Sequence, residues 1–330
     1  MCALSPAELT QALKERARAI GFDLVGACPA VQPATWPFFR DWVAAGYCGE
    51  MGYLARHADA RRDPGSILPG VRGILVVAVN YRTVEPVVPG PHQASVSRYA
   101  WGSDYHAIIR ERLRSLGQLH RQLVPNERSR GVVDTAPLLE REFARLAGLG
   151  WIGKNTMLIN QQYGSWLLLA ALLTTAELAY DQPRETELCR NCRACLDACP
   201  TGALFEPYRL DARRCISYLS MEHAGDVGPD LRQAIGWRLF GCDACQEACP
   251  HNKRTPCSAA AEFQPRNGMN PVDLDALKSI DPAAFLARHG DTSLAWAGQE
   301  RLLRNAAIIE EVNRTTRSPR DSSLPPTGPE

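Results

Sequence analysis

Eight of the twelve cysteines in this 330-residue chain lie between residues 189 and 249, mostly in two dense blocks. The first block, residues 189–200, has the spacing Cys-x2-Cys-x2-Cys-x3-Cys-Pro, which is the cysteine run of bacterial ferredoxins. Three closely spaced thiolates can bind one 4Fe-4S cubane, and the fourth, followed by proline, points to a second cluster. The chemistry expected from this stretch is therefore electron delivery.

The second block, residues 242–250, is the same run with its first cysteine missing, because Leu239 stands where that cysteine belongs. Since a 4Fe-4S cluster needs four ligands, another cysteine must complete the set, and Cys215 is the only candidate between the blocks. Pairing across the blocks then uses all eight thiolates for two cubanes. The first set is Cys189, Cys192, Cys195 and Cys249, and the second set is Cys199, Cys215, Cys242 and Cys245.

Two other uses of these cysteines are less consistent with the spacing. Structural zinc also takes four cysteines, but zinc ribbons usually show two CxxC pairs separated by a longer gap. A disulfide framework is disfavoured because the first residues do not form a signal peptide and the chain is too long to depend on disulfide bonds for stability. The pattern therefore favours iron–sulfur clusters.

The composition is that of an ordinary globular protein, with 45% hydrophobic and 22% charged residues. A formal net charge of +1 excludes a chain-wide basic field, so any nucleic-acid contact must use a local patch. The longest apolar run, residues 166–173, is too short to cross a bilayer. We expect a cytoplasmic protein with no membrane contact, since reduced thiols persist there.

The fold class expected from the pattern is α/β or α+β. A capping box at Ser5–Glu8 opens a helix, and buried strands are predicted at residues 73–79 and 164–174. The alternation of strands with helices predicts an α/β domain over residues 1–180. A ferredoxin-like domain follows over 181–258, then a short helical region over 259–313 and a polar, disordered tail over 314–330.

The common signatures of an electron acceptor are absent from the sequence, including the P-loop, G-x-G-x-x-G and C-x-x-C-H. Cobalamin proteins that bind cobalt through histidine carry D-x-H-x-x-G. Here Asp104 and His106 match, but Ile109 replaces the glycine. We interpret Asp104 as a helix cap and His106 as a surface or pocket group.

Asp134 follows a short apolar strand, residues 131–133, and precedes Thr135-Ala136-Pro137. An acid at a strand end in apolar surroundings tends to have a raised pKa, so it could hold a proton and donate it. Alternatively, Asp134 caps a helix. Chemistry alone does not separate these two interpretations.

Several blocks together resemble epoxyqueuosine reductase over about residues 5–313. They are residues 97–106, 133–137 with Glu140 and Arg141, 150–157, 164–166, the double cysteine motif and 221–223. The resemblance implies reduction of epoxyqueuosine to queuosine at the wobble position of tRNA. It also implies base-off cobalamin, with no protein histidine on cobalt, fed by two 4Fe-4S clusters. The family's proton-donating aspartate falls on Asp134, which selects the general-acid interpretation.

Polar positions in and around these blocks are the predicted cobalamin contacts, namely Arg56, Arg98, Tyr99, Asp134, Lys154, Asn155 and Ser217. Charged residues beside ligand cysteines are predicted to bind the anticodon stem-loop, with Glu222 and His223 meeting the flipped-out base. These tRNA-binding residues are Arg213, Arg214, Glu222, His223, Lys253 and Arg254. The expected electron donor is an external flavodoxin or ferredoxin system, and the expected state is a monomer.

The chain departs from the family in two places. Relatives often carry a longer C-terminal helical-repeat region for tRNA, whereas here Trp296–Val312 resembles only the start of one HEAT-like repeat. Ser103 replaces a more usual threonine. The competing functions are a reductive dehalogenase-like enzyme, usually exported through a twin-arginine leader that is not seen here, and a ferredoxin-type electron-transfer protein.

Overall fold

The computed structural model describes residues 4–316 and contains a central four-stranded sheet in the order β1-β2-β7-β4. Smaller sheets have the orders β10-β3-β11, β5-β6 and β8-β9. The strands are β1 Leu24–Pro29, β2 Gly73–Asn80, β3 Gln93–Val96, β4 Ser129–Val132, β5 Trp151–Ile152, β6 Leu158–Ile159, β7 Leu167–Thr174, β8 Leu204–Glu206, β9 Arg209–Leu210, β10 Arg238–Phe240 and β11 Val272–Asp273.

Helices surround these sheets and dominate the last third of the chain. They are α1 Pro6–Ala19, α2 Trp36–Ala44, α3 Gly52–Arg56, α4 Tyr105–Leu123, α5 Glu140–Leu146, α6 Ala194–Asp197, α7 Ile216–Met221, α8 Pro229–Ile235, α9 Ala244–Glu247, α10 Leu274–Ser279, α11 Pro282–His289, α12 Leu294–Ala297 and α13 Gln299–Thr316. Short 3-10 helices include Asp59–Arg62 and Arg98–Ala100.

The central strand β2 is buried along its whole length because its β-branched and small apolar residues fit between two helical layers. Alternate side chains point to opposite faces. Leu75, Val77 and Val79 join the core under α1 and α4, whereas Ile74, Val76 and Ala78 join the core under α5. The sheet is therefore the middle of three layers.

Every pairing in this sheet is antiparallel, which corrects the expectation from the strand–helix alternation. The protein contains both helices and strands, and of the two predicted classes it is α+β, because its central sheet is antiparallel. The rule that ligands gather at the carboxyl edge of a parallel sheet therefore does not apply to Asp134. The predicted strands and helices were nevertheless located correctly, and the capping box of Ser5 and Glu8 is present.

A second large core joins segments that are distant in sequence. It contains residues from the ranges 94–101, 212–240 and 269–312, so the C-terminal helices share one core with elements that carry predicted ligand cysteines. Leu302, Ala306 and Ile309 of α13 are buried in it. Helix α13 continues to Thr316, and the rest of the predicted tail lies outside the described residues.

None of the helices between residues 4 and 316 has the length and apolarity needed to cross a membrane.

Candidate active site

Asp134 lies in a tight turn two residues after β4 ends at Val132. Its φ of 53° is in the left-handed region, which aspartate tolerates better than most residues. The Asp134 backbone N–H donates to Glu140 Oε1 at 2.9 Å, so the first residue of α5 holds the turn. The side chain is 58% exposed. Local geometry thus presents the carboxylate to solvent from a fixed backbone.

The start of α4 supplies the hydrogen-bond partners of this carboxylate. Tyr105 Oη donates to Asp134 Oδ2 at 2.9 Å, and His106 Nε2 lies 3.1 Å from the same oxygen. The other ring nitrogen, Nδ1, lies 2.8 Å from Asp104 Oδ1. Asp104 also caps α4 by accepting from the His106 N–H, as predicted. His106 is therefore a pocket group with both nitrogens engaged by carboxylates.

The contact with His106 favours an ionised Asp134, whereas the sequence predicted a protonated one. The hydrogen bond from His106 lowers the pKa of Asp134 below its ordinary value, against the opposing effect of desolvation, and Tyr105 lowers it further. Burial disfavours the charged form of His106, but the two carboxylates outweigh it and raise the pKa of His106 to about 9. The expectation of a raised pKa at Asp134 was wrong, because it considered apolar surroundings and not the imidazole contributed by α4.

A proton is nevertheless available beside Asp134. Burial and then the negative charge of Asp134 raise the pKa of Glu140 to about 8. At neutral pH the structure therefore holds protons on His106 and Glu140, with an ionised Asp134 next to both. Perturbed acids arranged in this way are a mark of sites that move protons.

His106→Asn tests this charge arrangement through stability. Because the folded-state pKa of His106 is raised to about 9, its contribution should be fully present below the unfolded value of about 6.5. It should disappear as the pH rises through about 9. We expect a destabilisation of about 1.5–3 kcal/mol between about pH 5 and 6.5, shrinking towards pH 9.5. Thermal unfolding across this range measures it, with exposed His57→Asn as the control. A pH-independent difference would contradict the assignment.

The opposite wall of the site comes from the segment around α3. Tyr53 is 38% exposed, yet burial by surrounding protein, and then the charges of Glu222 and Asp134, raise its pKa to about 12. Desolvation lowers the pKa of Arg61, which also faces Glu140 and Asp134. Tyr53 and Arg61 therefore interact electrostatically with the acids around Asp134. We call the group formed by Tyr53, Arg61, Asp134, Glu140 and Glu222 the acid recess.

The segment after α7 brings Glu222 to this recess, but it holds His223 elsewhere. The His223 ring lies 2.8 Å from Glu50 Oε1 and 3.1 Å from the Asp226 carbonyl oxygen. Arg304 of α13 donates to the carbonyl oxygens of Leu219, His223 and Gly225 at 2.6–2.7 Å. The final helix therefore fixes the segment that carries Glu222.

The eight predicted ligand thiols fall into two groups of electrostatic neighbours. Burial, and then the neighbouring Cys249 and Cys189, raise the pKa of Cys195 to about 11. Cys249 in turn interacts electrostatically with Cys189 and Cys192. Separately, Cys245 is surrounded by the other three thiols of its group, Cys242, Cys215 and Cys199. These two groups coincide with the first and second sets.

The environment of the sulfurs also suits cluster ligands. Burial raises the pKa of the Cys215 thiol, whereas the nearby backbone N–H groups of Ser217 and Tyr218 and the Ser217 hydroxyl favour its ionised form. Over residues 4–316, no three His, Cys, Asp or Glu side chains converge on a point that could hold a single metal ion. One cubane takes four thiolates, and each of the two groups supplies four.

The second set lies beside the acid recess. Arg141 interacts electrostatically with Glu140, Asp134 and Cys245. Tyr99 packs edge-on against Tyr105 with ring centroids 6.1 Å apart, and its surroundings include both Asp134 and Asp243. Cys189 and Cys249 of the first set pack instead with Trp151, Ile159 and Leu188. Arg141 thus links the acids to Cys245 of the second set.

The predicted cofactor contacts are only partly brought together. Tyr99 and Asp134 border the recess, whereas Ser217 supports Cys215. Lys154 Nζ donates to the Arg190 and Cys192 carbonyl oxygens, and Asn155 Nδ2 lies 3.5 Å from the Cys245 carbonyl oxygen. Both therefore attach a loop to the cysteine blocks.

Two predicted cofactor contacts, both arginines, do not join the recess in the contacts of this structure. The Arg98 side chain is 4% exposed, forms a 2.8 Å ion pair with Glu85 and packs on Trp166, so it is held inside the protein. Arg56 is exposed at the end of α3. The prediction used only the polar character of a residue and its position in or near a block that resembles the family. Neither property distinguishes a buried ion pair from a cofactor contact.

The predicted tRNA-binding cations also separate into different environments. Arg213 pairs with Asp211 at 2.8 Å and lies over the Tyr47 ring, and Arg214 donates to the Thr201 carbonyl oxygen. Lys253 and Arg254 are exposed after a turn anchored through Asn252 and Ser165. The expectation that these four charges share one face receives no support from these contacts.

Sequence reasoning missed Tyr53, Arg61 and Tyr105 as members of the site. Tyr105 stood next to the singled-out His106 in a recognised block, so that signal was available. Tyr53 and Arg61 lie on short helical turns with no motif, and only the fold places them opposite Asp134.

Comparison with known proteins agrees with this site. Residues 188–252 match the family model of the 4Fe-4S double cluster binding domain, and residues 61–135 match the model described as epoxyqueuosine reductase QueG, DUF1730. The fold and the site define an iron–sulfur oxidoreductase. The epoxyqueuosine reductase of Pseudomonas aeruginosa is 41% identical over 92% of this chain and 85% of its own length. The chain belongs to the epoxyqueuosine reductase family.

Other relatives and solved structures lead to the same family. The Escherichia coli epoxyqueuosine reductase is 38% identical over 91% of this chain and 80% of its own length. An epoxyqueuosine reductase solved with an epoxyqueuosine-modified tRNA-Tyr stem loop superposes with a TM-score of 0.86 at 32% identity, covering 91% of this chain and 80% of that one. The Bacillus subtilis enzyme, solved with its aspartate catalytic loop swung out of the active site, gives a TM-score of 0.82 at 31% identity over 91% and 80%.

Proposed function

We propose that this chain reduces epoxyqueuosine to queuosine at the wobble position of tRNA. The observation that carries the proposal is the acid recess next to the second set, where Arg141 interacts with both Asp134 and Cys245. Reductive removal of an epoxide oxygen needs two electrons and acid, and predicted cluster ligands beside titratable acids support this chemistry. A plain electron-transfer ferredoxin would not need the recess.

The recess also suits cobalamin bound without a protein ligand to cobalt. Both nitrogens of His106 are engaged by carboxylates, which agrees with a base-off cofactor that no histidine ligates. Tyr99 would form part of the corrin pocket between the recess and the second set, and Glu222 and Tyr53 offer polar atoms opposite. When bound there, the corrin would supply a strongly reducing centre for the epoxide carbon.

In this proposal the chain's own residues control the proton. Asp134 acts as the last donor to the departing epoxide oxygen, after receiving a proton from His106 across the 3.1 Å contact. Glu140 fixes the Asp134 backbone and is protonated at neutral pH because its pKa is raised to about 8. Because the pKa of Asp134 is lowered, Asp134 in this proposal is ionised at rest and takes the proton that it donates from a neighbour.

Electrons would enter at the first set and continue through the second set, because the second set is the one beside the recess. An external flavodoxin or ferredoxin system is the proposed donor. The predicted ligands of both clusters remain the two sets of four cysteines.

The direct test is turnover of tRNA that carries epoxyqueuosine. Anaerobically purified protein, supplied with cobalamin and a low-potential reductant, should convert the modified nucleoside to queuosine, as followed by mass spectrometry of digested tRNA. Its visible spectrum should show a corrin band beside the broad iron–sulfur absorbance. Iron–sulfur absorbance without a corrin band, after growth with cobalamin, would contradict the proposal and favour an electron-transfer protein.

We further propose that the anticodon stem-loop is held by exposed cations beside the cysteine blocks. Lys253 and Arg254 are the better candidates, because Arg213 and Arg214 already have intramolecular partners. Arg301 and Arg304 are excluded as an alternative surface, since both donate to backbone carbonyl oxygens around α7. The remaining alternative is the exposed face of α4, which carries Arg110 and Arg114.

Charge reversal distinguishes these two surfaces. Lys253→Glu with Arg254→Glu should weaken tRNA binding and reduce the slope of log K against log salt by about 0.7–0.9 for each lost phosphate contact. Arg110→Glu with Arg114→Glu is the matched control and should leave the slope unchanged. Fluorescence anisotropy at several salt concentrations measures both. The opposite pattern would place the tRNA on α4.

A further inference from the structure

Trp151 is a buried residue beside the first set that the proposed reaction does not use. It begins β5, pairs with Ile159 of β6, and its side chain is 2% exposed. It packs in one small core with Cys249, Ile159, Leu188 and Cys189. Two of these five residues are predicted ligands of the first cluster.

The indole of Trp151 carries a donor that lacks an acceptor. The Trp151 Nε1 atom is inaccessible to solvent and has no hydrogen-bond partner among residues 4–316. The neighbouring His251 ring meets the indole edge-on, with centroids 5.0 Å apart and an interplanar angle of 79°, and the pair forms no hydrogen bond. A buried unpaired N–H costs about 1–3 kcal/mol, so such a group normally has a partner in the working protein.

Sulfur is the acceptor chemistry that this small core offers. Cys189 and Cys249 pack in the same small core as the indole, and a thiolate or inorganic sulfide of a bound cluster is a far better acceptor than a thiol. We propose that the Trp151 indole N–H donates a hydrogen bond to a sulfur of the first cluster and raises the reduction potential of that cluster. This inference rests on the cluster assignment made above.

The direction of the effect follows from charge. Reduction adds one negative charge to the cluster, and an N–H dipole aimed at sulfur stabilises the more negative form. Removing the donor therefore lowers the reduction potential of the first cluster. Trp151 is a positioning residue in this role, because it touches the electron carrier and not the substrate. It would keep the entry cluster able to accept an electron from the external donor.

Trp151→Phe tests the inference, since it keeps an aromatic ring and removes the N–H. An EPR-monitored redox titration should show one cluster titrating at a lower potential and the other unchanged. At a fixed potential, the ratio of reduced to oxidised first cluster should fall by about tenfold, which is about 59 mV for a one-electron couple. Repeating the titration in Cys215→Ser protein assigns the shift, because only the second set should be altered there.

Trp166→Phe is the matched control. Trp166 is also 2% exposed with an unpaired Nε1, but it packs on Arg98 and Tyr81 and not on the first set. It should leave the potential of the first cluster unchanged. Equal potentials in wild type and Trp151→Phe, or an equal shift in Trp166→Phe, would overturn the inference. Iron and sulfide analysis separates this outcome from failure of the cluster assignment, which would leave wild type short of two cubanes.

A measurement on the wild-type protein covers the case in which Trp151→Phe does not fold. Protein labelled with ¹⁵N at the indole nitrogen should show a ¹⁵N coupling in the pulsed EPR spectrum of the reduced first cluster. The coupling arises because a hydrogen bond to sulfur transfers a little spin density to the donor. Its absence, with the cluster present and reduced, would also overturn the inference.

Discussion

Replacing Cys215 with serine is expected to remove or convert one cluster and to leave the other intact. Cys215 lies outside both dense blocks, but its sulfur is grouped with Cys199, Cys242 and Cys245 and is approached by the backbone N–H groups of residues 217 and 218. Iron and acid-labile sulfide should fall from about eight per chain towards about four, and EPR should retain the signal of the first cluster.

Cys257→Ser provides the control for this experiment. Cys257 is exposed and lies eight residues after the last ligand, outside both sets. Its iron content should equal that of the unaltered protein. If Cys215→Ser also retains about eight irons, Cys215 is not a ligand, and the vacancy at Leu239 must be filled by something other than a cysteine of this region.

Asp134→Asn should reduce turnover on epoxyqueuosine-tRNA by about 10²–10⁴, the usual contribution of a general acid. The amide keeps the shape of the side chain, so cobalamin and both clusters should remain bound. Loss of the charge should also lower the pKa of His106, which the Asp134 carboxylate helps to raise to about 9. A displaced pH profile would therefore accompany the lower rate.

Single-turnover rates across pH, with bound cobalamin quantified from the spectrum, measure this prediction. Asp41→Asn is a suitable control, because that carboxylate is 68% exposed on α2 and pairs only with Arg40. Its rate should match that of the parent protein. Near-normal turnover of Asp134→Asn would leave Asp134 as a residue that only shapes the turn between β4 and α5.

The grouping of the cysteines could be predicted because local spacing and a fixed number of ligands leave few choices. The position of Asp134 was also predictable, since a short apolar strand led to it. Its ionisation was not, because His106 is 28 residues away in sequence and reaches it only through the packing of α4. Similarly, the buried pairing of Arg98 with Glu85 depends on a loop whose path the sequence does not reveal.

The antiparallel order of the central sheet illustrates the same limit. Continuous apolar runs indicated β2 and β7, but strand direction depends on which strands become neighbours. Tyr53 and Arg61 lie on short turns without periodicity, so nothing in the sequence indicated that they face Asp134. Long-range placement, and not residue type, completes the acid recess.

The contacts of α13 have a consequence for how the molecule opens. Arg301 and Arg304 reach from this helix to the carbonyl oxygens of residues 219, 221, 223 and 225, and Asn305 donates to those of Ser220 and Leu239. Amide hydrogens around α7 and in α13 should therefore exchange with solvent as one cooperative unit. Shortening the chain before Gln299 would loosen the segment that carries Glu222 and the backbone next to Cys215, a predicted cluster ligand. The final helix thus behaves thermodynamically as part of the redox centre.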